Sequence, residues 1–418
     1  MTMMTAPPKQ TFRVGMLIHD TRYRSLTIQI VVLSAAMLMA AWLINNTIQN
    51  LAVLGKPISF GFLSSAAQYD INQMLVSYTN QDTHLRAAFV GLLNTLLVAV
   101  LGCALATVLG VLIGVLRLSK NWLVARLMTA YVEIFRNVPV LLWIVFAMAI
   151  LIETLPTPRD FRGEEATASM LLGDSIAITN RGVYIPEPLF SRSLGDLPLP
   201  GAVAISLDLV AILALLAGGL AASAAIRRRA ERIQNATGKR PATWHLRLGV
   251  IVLPQAALLA ALGFHLGYPE LRGFNFQGGI HLRNSLLALW LALSFYTAAF
   301  IAEIVRAGIL AIDRGQTEAA AALGLRPGRI MRLVILPQAL RVIIPPLISQ
   351  YLNLTKNSSL AIAVGYMDIT GTLGGITLNQ TGRELECVLL LMLVYLAISL
   401  IISAVMNWYN ARVRLVER

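Results

Sequence analysis

Charge is what this sequence has least of. Asp, Glu, Lys and Arg make up 13% of the 418 residues, against about a quarter in ordinary soluble domains. With 57% hydrophobic residues and a mean hydropathy of +0.69, one water-soluble core is excluded and a polytopic membrane protein is expected. Cysteine is nearly absent. Cys103 and Cys387 both lie in apolar stretches, which excludes a disulfide framework or a cysteine-rich metal site. The five histidines (His19, His84, His245, His265 and His281) are scattered without H-x-x-x-H spacing, so no metal site is expected. There is no phosphate-binding G-x-x-x-x-G-K-[ST] loop: the only Gly-Lys pairs, Gly55-Lys56 and Gly238-Lys239, lack the preceding Gly and are followed by Pro57 and Arg240. Clustered His/Asp/Glu and a nucleophile elbow are also missing, which argues against a membrane-embedded enzyme.

What is present is a series of long apolar windows. Crossing the hydrocarbon as a helix takes roughly 20 apolar residues, and eight windows qualify: about 26–48, 88–116, 127–152, 202–224, 248–267, 285–308, 338–364 and 387–407. The first follows a basic leader but lacks a clear small-residue cleavage site, so it is read as a retained anchor. The net charge of +13 is distributed by side. Lys and Arg gather before span 1, after span 8 and in alternate loops, including the run Arg227-Arg228-Arg229, whereas acids favour the opposite loops. The positive-inside rule then places both termini in the cytoplasm. The basic excess records orientation and gives no reason to invoke nucleic acid.

The Pro-rich segment 153–201 and the hairpin of spans 4 and 5 look like additions to a smaller unit. The expected organisation is 1–85 (cytoplasmic N-terminus, first span and external segment), 86–152 (first part of a core), 153–283 (inserted external loop plus membrane hairpin) and 284–418 (second part of the core). No long internal repeat is apparent, unlike the inverted repeats of many secondary transporters.

The loop after span 6 is the most informative. Thr317 can cap the Ala-rich run Glu318–Ala322, whose helix propensity is high. Gly324 fits a left-handed stop, Pro327 suits the first turn of a second short helix, and Pro337 stands where the next span begins. An Ala-rich helix with so little bulky apolar surface suits protein docking better than lipid. Elsewhere, Glu133/Arg136 and Glu303/Arg306 have spacings that permit same-helix pairing. Gly102, Ala106, Gly110 and Gly114 recur every four residues, fit either for packing within the subunit or for a dimer seam. Asp208 falls near the external end of span 4, where solvation is expected. Lys356 and Asp368 bracket a polar break, Lys356-Asn357-Ser358-Ser359. Polar backbone at membrane depth normally lines a cavity, and an ammonium group with hydroxyls could complement a carboxylate.

The loop resembles the signature of membrane subunits of ATP-binding-cassette importers, E-A-A-x3-G-x9-I-x-L-P: Glu318, Ala319, Ala320, Gly324, Leu336 and Pro337 match, with Val334 at the isoleucine position. Phe135-Arg136-Asn137-Val138-Pro139, Tyr296–Gly308 and Lys356–Leu360 resemble the histidine/glutamine type of polar amino-acid permease. The extra first span and the insertion are similar to long permeases for general L-amino acids or for glutamate/glutamine/aspartate/asparagine. The resemblance implies an all-α, type I importer-like core in the bacterial inner membrane, with Glu318, Ala319, Ala320 and Gly324 coupling to an ATPase dimer. ATP and Mg would then be bound on that partner and no cofactor by this chain. It further implies a periplasmic amino-acid-binding protein and a related but distinct second permease chain. Lys356, Asn357, Ser358 and Ser359 are the candidate substrate path. The alternative is an ion-gradient-driven secondary amino-acid transporter, for which few acids (Glu133, Asp208, Glu303, Asp368) lie near the membrane.

Overall fold

The computed structural model describes residues 18, 20–163, 166–199 and 203–413; most of the expected basic leader lies outside them. The chain divides into two compact units, 1–62 and 63–418. The first is built on helix α1 (Thr21–Val53), whose Leu33, Met37, Leu38, Trp42 and Ile44 are all exposed. A helix apolar on every side and covered by nothing in its own unit suits a lipid-embedded anchor.

The second unit is organised around α2 (His84–Leu116) and α7 (Asn284–Leu310). These helices run in the same direction, because Gly110 meets Ile301 while Gly114 meets Ala302 and Val305. Helix α10 (Leu336–Asn357) runs back between them, with Leu354 against Gly102 and Tyr351 bonded to Thr107 at 2.7 Å. The small-residue stripe therefore serves packing inside the subunit. A Cβ on Gly110 would lie 2.6 Å from Ile301 Cβ and 3.1 Å from the Ala298 carbonyl oxygen. Gly110→Val is accordingly expected to cost about 1–3 kcal/mol, read as a lower Tm of the detergent-solubilised chain. Gly218→Val, where a Cβ meets nothing within 4 Å, is the matched control and should leave Tm unchanged.

The expected third span is broken. Helices α3 (Trp122–Asn137) and α4 (Val140–Thr154) meet at 107°. Pro139 cannot donate to a helical ladder and disfavours helix at the residue before it, and Val138 is extended at φ −106°, ψ 133°. Asn121 caps α3 through Leu123 N and Val124 N. The helix buries Val132 against Ile113, Ala299 and Ala302 and exposes Trp122, Leu123 and Leu127. Among the described residues, seven helices are long and apolar enough to span, or eight if the bent pair counts as one.

The segment 153–283 forms helices α5 (Leu207–Thr237) and α6 (Trp244–Ala261). Its flanking arms hold short strands that the sequence reading did not anticipate. Strands β1 (Ala177–Thr179), β2 (Gly182–Ile185) and β9 (Ile280–Arg283) make one antiparallel sheet. Strand β3 (Glu187–Phe190) pairs with β6 (Phe264–Gly267), β4 (Asp196–Leu199) with β5 (Val203–Ser206), and β7 (Glu270–Arg272) with β8 (Asn275–Gln277). Residues 264–267, expected in span 5, thus belong to a strand, the helix having ended before Gly263 (φ +65°). Asp208 is not solvated. It is 4% exposed and accepts hydrogen bonds from Ser193 Oγ at 2.6 Å and Leu194 N at 2.9 Å, which tie α5 to the arm before it.

Candidate functional site

At the far end of α7 the chain enters α8 (Arg314–Ala322). Its cap is Asp313, whose carboxylate accepts from Gly315 N at 2.6 Å, so the helix starts ahead of the expected Thr317. Ala320 is buried where α8 folds back on the following segment, while Glu318 and Ala319 are exposed. Leu323 is 81% exposed, an unpartnered apolar side chain at the tip. Gly324 then reverses the chain at φ +76°, a conformation with a Cβ penalty for other residues. Helix α9 (Pro327–Ile330), with Pro327 in its first turn, passes through a π-helical turn at Met331–Ile335 directly into α10. The second short helix is thus continuous with the next span. The helical rod so formed packs on α2 and α7.

The ion pairs near this end differ in part from their expected arrangement. Arg306 Nη2 meets Glu303 Oε1 at 2.6 Å as the spacing implied, and Arg117, at the end of α2, pairs with Glu303 Oε2 across the helices. Glu133 and Arg136 do not form an ion pair. Arg136 lies over the Phe300 ring, 5.4 Å from its centroid, and Glu133 accepts from Asn137 at 3.4 Å.

The polar break at 356–359 is real, but its members face different surroundings. Lys356 is exposed in the last turn of α10, Asn357 and Ser359 are half-buried, and Ser358 is buried, donating to the Thr355 carbonyl at 2.8 Å. A tight 3-10 turn, Ser358–Val364, follows and ends at Gly365 (φ +69°). Asp368 is fully buried. It accepts from Gly371 N at 2.8 Å and Tyr395 OH at 3.2 Å, and so fastens the next segment to α11 (Glu384–Val413).

One cluster had no local signal in the sequence. A polar cavity of about 380 Å³ opens at the end of α7 opposite α8, and Asn180, Arg181, His281, Arg283, Asn284 and Ser285 line it. The β2–β9 pairing joins segments about a hundred residues apart. No spacing rule connects them. Among the described residues, no group of His, Cys, Asp and Glu could hold a metal ion.

Seven or eight candidate spans among the described residues, with a short helix and a glycine turn between two of them, define a multi-pass membrane protein. Residues 106–415 match the family model described as the binding-protein-dependent transport system inner membrane component; the chain belongs to this family and is a multi-pass inner-membrane protein. It is 59% identical to the Rhodobacter capsulatus glutamate/glutamine/aspartate/asparagine transport system permease protein BztB, covering all of both chains. It is 44% identical to the general L-amino acid transport system permease protein AapQ of Rhizobium johnstonii, covering 98% of this chain and 96% of that one. Identity is also 44% to the putative amino-acid ABC transporter permease protein YhdX of Escherichia coli, over 98% and 99%.

Proposed function

We infer that this chain is the permease subunit of an ATP-driven importer of L-amino acids. The observation that carries this reading is the α8–Gly324–α9 unit, exposed at its tip and continuous with α10. Of the four residues expected to couple, exposed Glu318 and Ala319 meet a separate ATPase dimer that binds ATP and Mg, while buried Ala320 packs α8 on the following segment and Gly324 makes the turn. A periplasmic binding protein delivers substrate to the opposite end, and a related but distinct permease completes the pathway. Residues 86–152 and 284–418 are the two parts of the core, with 153–283 inserted between them. Lys356, Asn357, Ser358 and Ser359 mark the substrate path, where exposed Lys356 offers an ammonium group to a carboxylate. The full-length relatives named for amino-acid transport support the substrate class. Nucleotide biases a bundle with two stable arrangements, and the substrate opening alternates with it.

Reconstitution in proteoliposomes tests the reading. Accumulation of amino acid is expected only with ATP, the ATPase and the binding protein together. Accumulation by this chain alone on an ion gradient would instead establish the secondary transporter.

A further inference from the structure

The cavity at the start of α7 has the chemistry of a carboxylate receptor. Two guanidinium groups line it, each held by one backbone carbonyl: Arg181 Nη1 donates to Phe274 O and Arg283 Nε to Asn72 O, both at 3.2 Å. Neither makes an ion pair among the described residues, and no described acid lines the cavity. A guanidinium carries five N–H donors, so most of this capacity is unspent. The 27-residue helix α7 begins at the cavity wall with Asn284 and Ser285, and its N-cap, Arg283, supplies no side-chain cap. The orphan amides and the helix dipole there add to the attraction for an anion.

The same wall carries acceptors in need of a donor. Asn284, 3% exposed, donates its amide to the Asn180 carbonyl at 2.6 Å, but the Oδ1 atoms of both Asn284 and Asn180 are buried without a hydrogen-bond partner. Both oxygens are closed off from solvent as they stand, and an ammonium group reached by rotation of the carboxamides would supply what they lack. His281 stacks on Tyr184 with ring centroids 4.2 Å apart. Burial pushes its pKa below the usual imidazole value; its hydrogen bond to the Arg181 carbonyl opposes that shift, and nearby Arg283 reinforces it. The shift favours the neutral ring, so the positive charge lining the cavity comes from the two arginines. The volume, about 380 Å³, falls within the range of roughly 300–1,000 Å³ for small-molecule sites. Val364 and Gly365 also line the cavity; they end the turn that begins at Ser358, so the cavity adjoins the proposed path.

We propose that this cavity is a receiving site for a free amino acid, in which Arg181 and Arg283 bind carboxylate and the Asn180 and Asn284 carboxamides accept from the ammonium. Two unpaired positive charges make the site favour acidic amino acids over neutral ones and reject basic ones. The proposal rests on the amino-acid import reading and adds to it a location and a charge preference.

The test is equilibrium binding of radiolabelled L-glutamate to the purified, fully assembled transporter without its binding protein. Saturable binding is expected, displaced by L-aspartate, more weakly by L-glutamine and not by L-arginine. Arg181→Gln and Arg283→Gln should each weaken it by about tenfold or more, and Arg181→Lys should recover part of the loss. Arg181 is exposed, so its variants keep the test available should Arg283→Gln fail to assemble. Absence of glutamate binding by wild type, or unchanged binding by both variants, overturns the proposal. So does unchanged glutamate binding with weakened docking of the binding protein, which would show that the guanidiniums meet acids on that protein. If wild type binds glutamate as described but does not import amino acids with ATP, the import reading fails and the site stands.

Discussion

Glu318→Arg combined with Leu323→Asp is expected to reduce ATP-driven uptake to less than about one-tenth of wild type, with the amount of chain in the membrane unchanged. Both side chains are exposed, Leu323 at 81%, so neither substitution opens a cavity or strands a buried partner. In the proposed assembly the exposed Leu323 tip and the exposed Glu318 both face the ATPase. A charge in that apolar contact and a reversed charge beside it act as repulsive elements, not as simple truncations. Co-purification with the tagged ATPase should fall in parallel. Uptake at wild-type level would show that α8 does not transmit the nucleotide signal. Lost uptake with full ATPase binding would place the defect after docking, in the rod 327–357.

The helix–turn–helix unit at 314–330 was legible because its determinants are local. An Ala run, a glycine stop at Gly324 and prolines at 327 and 337 each specify their own turn. The start of α8 was misread for the same kind of reason: Asp313 and Thr317 are both cap-forming types, and only the bond to Gly315 N separates them. At Pro139 the breaker was visible, but the apolar run beyond it invited a single span. The strands within 153–283 and the Arg181–Arg283 cavity depend on pairing between distant segments, about which hydropathy says nothing. The glycine stripe shows a further limit. Four-residue spacing announces a close contact but cannot name the partner, and here the partners are α7 and α10 of the same subunit.

Glu303→Ala is expected to be the most destabilising single substitution near the coupling end. The Glu303 carboxylate joins two helices and two cations: Oε1 meets Arg306 on its own helix at 2.6 Å, and Oε2 meets Arg117 at the end of α2. The Arg117 side chain is 9% exposed, and its Nε already lacks an acceptor. Removing the carboxylate leaves a nearly buried guanidinium uncompensated beside a second positive charge. Breaking such a pair from one side costs about 3–5 kcal/mol. The exposure of Glu303, 29%, sets the expectation at the lower end, about 3 kcal/mol, because water screens part of the field. The thermal midpoint of the solubilised chain should fall accordingly. Glu303→Gln should lie between the two, retaining one acceptor for Arg117 while losing the charge. The double variant Arg117→Met/Glu303→Gln distinguishes charge from packing, since it removes the stranded guanidinium and keeps the volume. Recovery of the midpoint in that chain would identify the penalty as the unpaired Arg117 charge. Failure to recover would mean that the side chains act mainly by filling space between α2 and α7. In the proposed assembly those helices also hold the rod that receives the push from α8, so in the first case Glu303→Ala should impair uptake even at temperatures where the chain remains folded.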